Sequence, residues 1–168
     1  DVDGAEKAFR AAIKAEPGHA TAHYNLGVLL QRKGDVDGAE KAYRAAIKAQ
    51  PGRAAARSNL GNLLLDDRQD VDGAEKAFRA AIEADPGYAN AHFNLGVTLL
   101  VYRRNEDGAG KAFRLAIRAD PTKFDGVVNF LQDIITSATA ELGPDDQFVR
   151  ATERMLRTFT QARVSRNS

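Results

Sequence analysis

One eighteen-residue phrase, Asp1-Val-Asp-Gly-Ala-Glu-Lys-Ala-Phe-Arg-Ala-Ala-Ile-Lys-Ala-Glu-Pro-Gly18, returns almost unchanged at Asp35 to Gly52 and at Asp70 to Gly87. A worn copy runs from Asn105 to Pro121, and successive copies are spaced 34, 35 and 35 residues apart. A fixed period in this range belongs to chains that stack one small module on copies of itself. The phrase reads as a short helix. Ala5, Phe9, Ala12 and Ile13 fall at i, i+4, i+7 and i+8, a single apolar stripe. Asp1 and Asp3 stand where carboxylates cap free N–H groups and meet the positive end of the helix dipole. Glu6 and Arg10 are spaced to pair on the outer face. Pro17-Gly18 ends the helix. One such stripe cannot bury itself, so the helix needs neighbours.

The segments between the phrases supply them. Ala20 to Arg32, Ala54 to Asp66 and Ala89 to Val101 read as helices of a second kind. In the first of these, Ala22, His23, Leu26 and Leu30 form the face toward the partner helix. Gly27, Gly61 and Gly96 each cost a helix ~1 kcal/mol relative to Ala. The expected return is close backbone approach opposite the small Ala39, Ala74 and Ala109. Past residue 123 the phrase is lost but helical spacing continues through Phe124, Val127, Val128, Leu131, Ile134, Ile135, Ala138 and Leu142. Gly143-Pro144 breaks the run and Asp145-Asp146 offers an N-cap. A final helix through Phe148, Val149, Thr152, Met155, Leu156 and Phe159 is predicted to end near Arg163, with a frayed tail to Ser168.

The order Leu-Gly, Leu30, Ala39, Tyr43, Ala46 and Pro51 resembles the tetratricopeptide repeat. The resemblance implies an all-α, right-handed α-solenoid of helix-turn-helix repeats. Its units are a half repeat at 1–19, repeats at 20–53, 54–88 and 89–123, and a degenerate repeat or capping helix pair at 124–168. Three departures stand out. His23, Arg57 and His92 replace the large aromatic usual near the start of each first helix. Leu30, Leu64 and Leu99 replace the aromatic that follows the Leu-Gly pair. The turns inside repeats 54–88 and 89–123 carry one extra residue. The near-identical phrases suggest recent duplication or consensus engineering, and the drift after residue 105 favours a natural chain. Opening in mid-repeat without Met, it reads as a piece of something longer.

Composition removes whole classes of function. Charged residues make up 28% with a net charge of +1, interspersed by sign, which disfavours nucleic-acid binding. The absence of cysteine excludes disulfides and thiolate chemistry. No apolar run approaches a membrane span and no signal pattern opens the chain, so no membrane role and an intracellular, cytoplasmic setting are expected. No phosphate-binding loop or nucleophile–base pair is evident, and the segment is expected to be non-catalytic and without a cofactor. His19 and His23 have metal-like spacing, but a helix boundary between them and the lack of a third ligand favour packing or surface roles. Asp66-Asp67 and Asp145-Asp146 fall at turns and helix starts, where capping accounts for them.

The candidate binding residues follow the same period. Asn25, Asn59, Asn94 and Asn129 precede each Leu-Gly pair or its worn equivalent. With first helices on the concave side, as the resemblance implies, these carboxamides form a ladder. Each carries a donor and an acceptor and can pair with a peptide backbone whatever its side chains. This is similar to the asparagine-lined inner surface of the repeat region of O-GlcNAc transferases. The competing explanation is that Asn tidies hydrogen bonds between repeats. Helical spacing adds Tyr24 and Val28, Asn62, and Asn90, Phe93 and Val97 to the same face. Tyr24 and Phe93 are aromatic anchors or else pack against the adjacent repeat. Family members that grip acidic chaperone tails use Lys and Arg here, whereas this chain has Tyr24, Val28, Ser58, Phe93 and Val97. The expected function is a protein-interaction scaffold holding an extended peptide or partner segment. The alternatives are a substrate-recruiting arm of a larger enzyme such as a glycosyltransferase, or a structural, self-associating subunit. For the last, Phe9 and Ile13 on the unpartnered first helix are the expected contact with a second copy, each worth ~1.5–3 kcal/mol when buried.

Overall fold

The computed structural model describes the backbone of residues 2–167 and the side chains of residues 3–163. Among the described residues it holds nine helices and no strand: α1 (Val2–Ala15), α2 (Ala20–Arg32), α3 (Val36–Ala49), α4 (Ala54–Asp66), α5 (Val71–Ala84), α6 (Ala89–Val101), α7 (Glu106–Ala119), α8 (Lys123–Leu142) and α9 (Gln147–Asn167). The final helix runs on past Arg163 because neither Gly nor Pro interrupts 147–167. Ser168 and the capping role expected of Asp1 lie outside the described residues.

The repeated phrase makes the odd-numbered helices α1 to α7, and its first residue is their cap. Asp35, Asp70 and Asn105 accept hydrogen bonds of 2.9 Å from the backbone N–H of Gly38, Gly73 and Gly108. A Cβ at Gly38 would stand 2.2 Å from an Asp35 carboxylate oxygen, so Gly at this slot keeps the cap closed. Asp3 and its counterparts have a different task. Lys33 bridges back to Asp3 and Glu6, Arg68 to Asp37 and Glu40, and Arg103 to Asp72 and Glu75. Each cation comes from the turn after a first helix and clamps the preceding repeat. Hydrogen bonds from Lys33 and Arg10 hold the Glu6 carboxyl below its usual range, and Arg68 does the same for Asp37. Burial opposes the effect at Glu75, where Arg79 and Arg103 still hold the carboxyl low.

The glycines of the first helices serve rings, which corrects the expected backbone approach opposite Ala39, Ala74 and Ala109. A Cβ at Gly27 would lie 2.7 Å from the Tyr43 ring, and one at Gly61 or Gly96 would lie 2.6 Å from Phe78 or Phe113. Those rings are 0–1% exposed and join the Leu side chains in one continuous core. The missing Cβ is the notch in which the partner helix seats its aromatic side chain. The slots near the start of each first helix where the family usually has an aromatic hold polar side chains that bond to the preceding turn. His23 Nε2 lies 2.8 Å from the Pro17 carbonyl and His92 Nε2 2.8 Å from that of Pro86, while Arg57 donates to the Pro51 carbonyl at 2.9 Å. All three tie a first helix to the turn before it. His19 caps α2, accepting from the Ala22 N–H at 3.3 Å.

Turn length inside each repeat is compensated by backbone conformation. The short turn places Gly34 at φ 79°, whereas the longer turns place Gln69 at φ 54° and Arg104 at φ 50°. A left-handed conformation strains a residue with a Cβ. Gln69→Gly is therefore expected to stabilise the array by about 0.5–1 kcal/mol, read as a higher urea midpoint at unchanged slope.

Curvature follows from which helices touch. Successive first helices pack on one another (α2 on α4, α4 on α6, α6 on α8), while the second helices α1, α3, α5 and α7 keep their Cα atoms more than 8 Å from one another. The first helices thus lie inside the bend and the second helices splay outside. The last pair departs from this pattern, since α9 touches α7. At their contact Gly110 replaces the Glu of earlier phrases, and a Cβ there would meet Met155 at 3.9 Å.

Candidate peptide-binding face

The inner face is carried by α2, α4, α6 and α8, and of the four Asn residues expected on it two, Asn59 and Asn94, are tied between neighbouring repeats. Asn59 Nδ2 donates to the Tyr24 hydroxyl at 3.2 Å, joining α4 to α2. The slot of Tyr24 is Ser58 in the next repeat, buried and too short to answer Asn94. Asn94 Nδ2 instead donates to Asn62 Oδ1 at 2.8 Å, joining α6 to α4. Asn62 occupies the slot held by Val28 and Val97 elsewhere, so loss of one acceptor is made good by gain of another. For Asn129 the preceding slots are Phe93 and Val97, which offer no acceptor. Among the described residues Asn25 and Asn129 make no side-chain hydrogen bond, and Asn129 is exposed.

Both explanations of the ladder therefore have physical content. Each bonded amide spends one N–H on holding repeats together, and that bond fixes the plane of the carboxamide. Among the described residues none donates a hydrogen bond to Asn59 Oδ1 or Asn94 Oδ1. Of the remaining residues, Asn90 is exposed, while Val28, Asn62 and Val97 are half-buried.

The two aromatic candidates are half-buried between repeats. The Tyr24 ring centre is 6.2 Å from that of Tyr43. The Phe93 ring is 5.7 Å from Phe113 and 6.1 Å from Phe130, which are themselves 5.9 Å apart. Beside Tyr24 sits a residue that the sequence reading passed over. Arg53 places its guanidinium 4.6 Å from the Tyr24 ring centre and donates to Thr21 Oγ1 at 3.1 Å, and its buried Nε has no partner among the described residues. Its position one residue before α4 falls outside the helical periodicity from which the other candidates were drawn. A hydrogen-bond chain runs below, from Tyr43 OH to Gln31 Oε1 at 2.9 Å and from Gln31 Nε2 to Asp67 Oδ2 at 3.2 Å. Asp66-Asp67 thus sits at the C-terminal end of α4, where capping of N–H groups does not explain it. Asp146 does cap, accepting from the Phe148 N–H at 2.8 Å.

Among the described residues no cluster of three or more metal-ligating side chains forms, and no helix is long and apolar enough to cross a membrane.

Helix pairs of one pattern, stacked through shared rings and cross-repeat ties with their first helices forming an inner wall, define an all-α repeat solenoid. The chain belongs to the tetratricopeptide repeat family, whose profile matches residues 1–54, 29–89 and 59–123. Among solved structures it is similar to a crystal structure of MamA, at TM-score 0.71 and 20% identity over 99% of this chain and 91% of that one. It is also similar to MamA from Desulfovibrio magneticus RS-1, at TM-score 0.68 and 18% identity over 99% and 88%. Pseudomonas aeruginosa pilF aligns at TM-score 0.69 and 18% identity over 94% of this chain and 68% of that one. Identities this low show a shared fold alone. Curated protein sequences give no match. The fold is consistent with a protein–protein interaction scaffold.

Proposed function

We propose that the chain holds an extended peptide or partner segment along the inner face of α2, α4, α6 and α8. The observation that carries this reading is the state of the carboxamides. Asn59 and Asn94 are oriented by bonds across repeats yet, among the described residues, keep an unused acceptor each, and Asn25 and Asn129 make no side-chain bond there. Groups held in place before a ligand arrives cost less to order on binding. Backbone recognition by amides leaves sequence preference to Tyr24, Val28, Arg53, Asn62, Asn90, Phe93 and Val97. The same face would serve a substrate-recruiting arm of a larger enzyme.

The structure sharpens the test. Asn59→Ala/Asn94→Ala removes bonds that also join repeats, each worth about 0.5–1.5 kcal/mol of stability. Asn25→Ala/Asn129→Ala removes none. A ligand is first selected from a random extended-peptide library against the unaltered chain. The second double variant is then expected to weaken that peptide by roughly tenfold or more, with no shift of the urea midpoint. If affinity survives both double variants and only stability falls in the first, the amides are inter-repeat ties and the proposal fails.

A further inference from the structure

The splay of the second helices leaves clefts on the outer face, and the first has a definite chemistry. Between α1 and α3 lies a cleft of about 480 Å³ whose floor and wall are Leu26, Leu30 and Ile13 and whose rim carries Arg10, Lys14 and Lys41. Arg10 is paired with Glu6, whereas among the described residues Lys14 and Lys41 make no close ion pair, Lys41 acting on the Asp37 carboxylate only at longer range. Among the described residues no carboxylate lines it. The second interval repeats the pattern with Ile47, Arg44, Lys48 and Lys76. In the third, Glu83 stands in the slot of Lys14 and Lys48, and Leu115, 44% exposed, stands in the slot of Ala45 and Ala80. At the fourth, α9 closes against α7. The outer face is thus basic with an apolar floor at the start of the array and loses that character toward its end.

The opposite chemistry is displayed at the α8–α9 turn. Leu142 is 49% exposed at the end of α8. It stands beside Glu141, which has no ion-pair partner among the described residues, and is followed by Gly143-Pro144, Asp145 and Asp146. Asp145 pairs with Arg150, and Glu106 lines the same surface as Leu142 and Asp146, as does Arg104, whose guanidinium stacks 3.8 Å from the Phe148 ring centre. The carboxylates of Glu106, Glu141, Asp145 and Asp146 outnumber the cations Arg104 and Arg150 around this exposed leucine, which matches an apolar cleft framed by lysines.

We propose that the acidic Leu142 tip of one copy docks in the basic cleft between α1 and α3 of a second copy. The two surfaces differ, so the contact is heterologous and head-to-tail, and it propagates without closing unless the rotation between copies makes a ring. Ile13, the residue expected from sequence to meet another copy, forms one wall of the cleft. The second copy is preferred over a foreign acidic segment because both complementary surfaces are carried by the same chain.

Sedimentation of the whole chain over a concentration series at low ionic strength tests this. The expected result is a weight-average mass that keeps rising past that of a dimer, and that falls when salt screens the rim. Lys14→Glu/Lys41→Glu and, separately, Leu142→Ser should each weaken association by roughly tenfold or more, with helical signal and urea midpoint unchanged. Adding Glu141→Lys to the Lys14→Glu/Lys41→Glu background should restore it. A monomer at every concentration overturns the proposal, as does association that both surface variants leave intact. A monomer that instead binds a separate acidic leucine-bearing peptide in a Lys14/Lys41-dependent way assigns the cleft to a foreign partner and equally overturns self-contact. None of these residues lies on the inner face, so peptide binding there stands or falls independently.

Discussion

Gly61→Ala is expected to destabilise the array by about 1–3 kcal/mol, although Ala is the better helix former by about 1 kcal/mol. The new Cβ would stand 2.6 Å from Phe78 Cε1 and 2.8 Å from Cδ1, distances at which something has to move. What has to move is a ring that is fully buried in the continuous core, so the strain spreads into α5 and its neighbours instead of being relieved at a surface. The same exchange provides its own control on α8. A Cβ at Gly126 meets nothing within 4 Å, so Gly126→Ala should stabilise by about 1 kcal/mol through propensity alone. Identical chemistry at two helical positions is therefore expected to give opposite signs in urea unfolding. Phe78→Leu placed in the Gly61→Ala background should recover part of the loss, since a smaller side chain vacates the notch. A Gly61→Ala protein at least as stable as the parent would show that ring and helix are not locked together.

What could be read beforehand divides by the range of the interaction. The phrase revealed α1, α3, α5 and α7 because helix period, cap and stop are all local, and the cap residues Asp35, Asp70 and Asn105 behave as their position demands. The Leu-Gly pair marked the first helices but suggested the wrong neighbour. Small residues at Ala39, Ala74 and Ala109 invited a backbone contact, whereas the space is taken by a ring four residues further on, whose reach depends on its rotamer and on the crossing of two helices. The clamps by Lys33, Arg68 and Arg103 were missed because their partners lie 27 to 31 residues back, beyond any helical spacing. Their own offset of 35 and 35 was legible, and comparing cations as well as apolar residues across the repeats would have found them. On the inner face the period located the Asn residues, but not their bonds. Whether a ladder amide is satisfied depends on the residue one repeat earlier, as the exchange of Tyr24 for Ser58 and of Val28 for Asn62 shows. That is a property of pairs of repeats and is invisible in any single one.

Tyr43 should make the array sensitive to alkali. It is the one hydroxyl-bearing member of the ring series Phe9, Tyr43, Phe78 and Phe113, 1% exposed, and its OH donates to Gln31 Oε1 at 2.9 Å. Burial pushes its pKa up to about 12, against a lowering by the neighbouring Asn59 amide. In the unfolded chain the phenol titrates near its usual value of about 10. Between those two values the unfolded chain has lost the proton and the folded one keeps it, so the folded state binds more protons and stability falls as pH rises. The contribution is complete below pH ~10 and is gone above pH ~12, a loss of about 3 kcal/mol for a gap of about two units. Tyr43→Phe lacks the titration and lacks the bond to Gln31, which costs it about 0.5–1.5 kcal/mol at neutral pH. Urea midpoints measured from pH 8 to 12 should therefore cross, with the parent the more stable at the low end and Tyr43→Phe at the high end. Losses shared by both proteins, such as deprotonation of Lys33, whose pKa is raised by Glu6 and Asp3, cancel in the difference. Two parallel curves would mean that alkali reaches the hydroxyl without opening the fold, and that the second repeat is looser around its ring than the burial of Tyr43 and its bond to Gln31 imply.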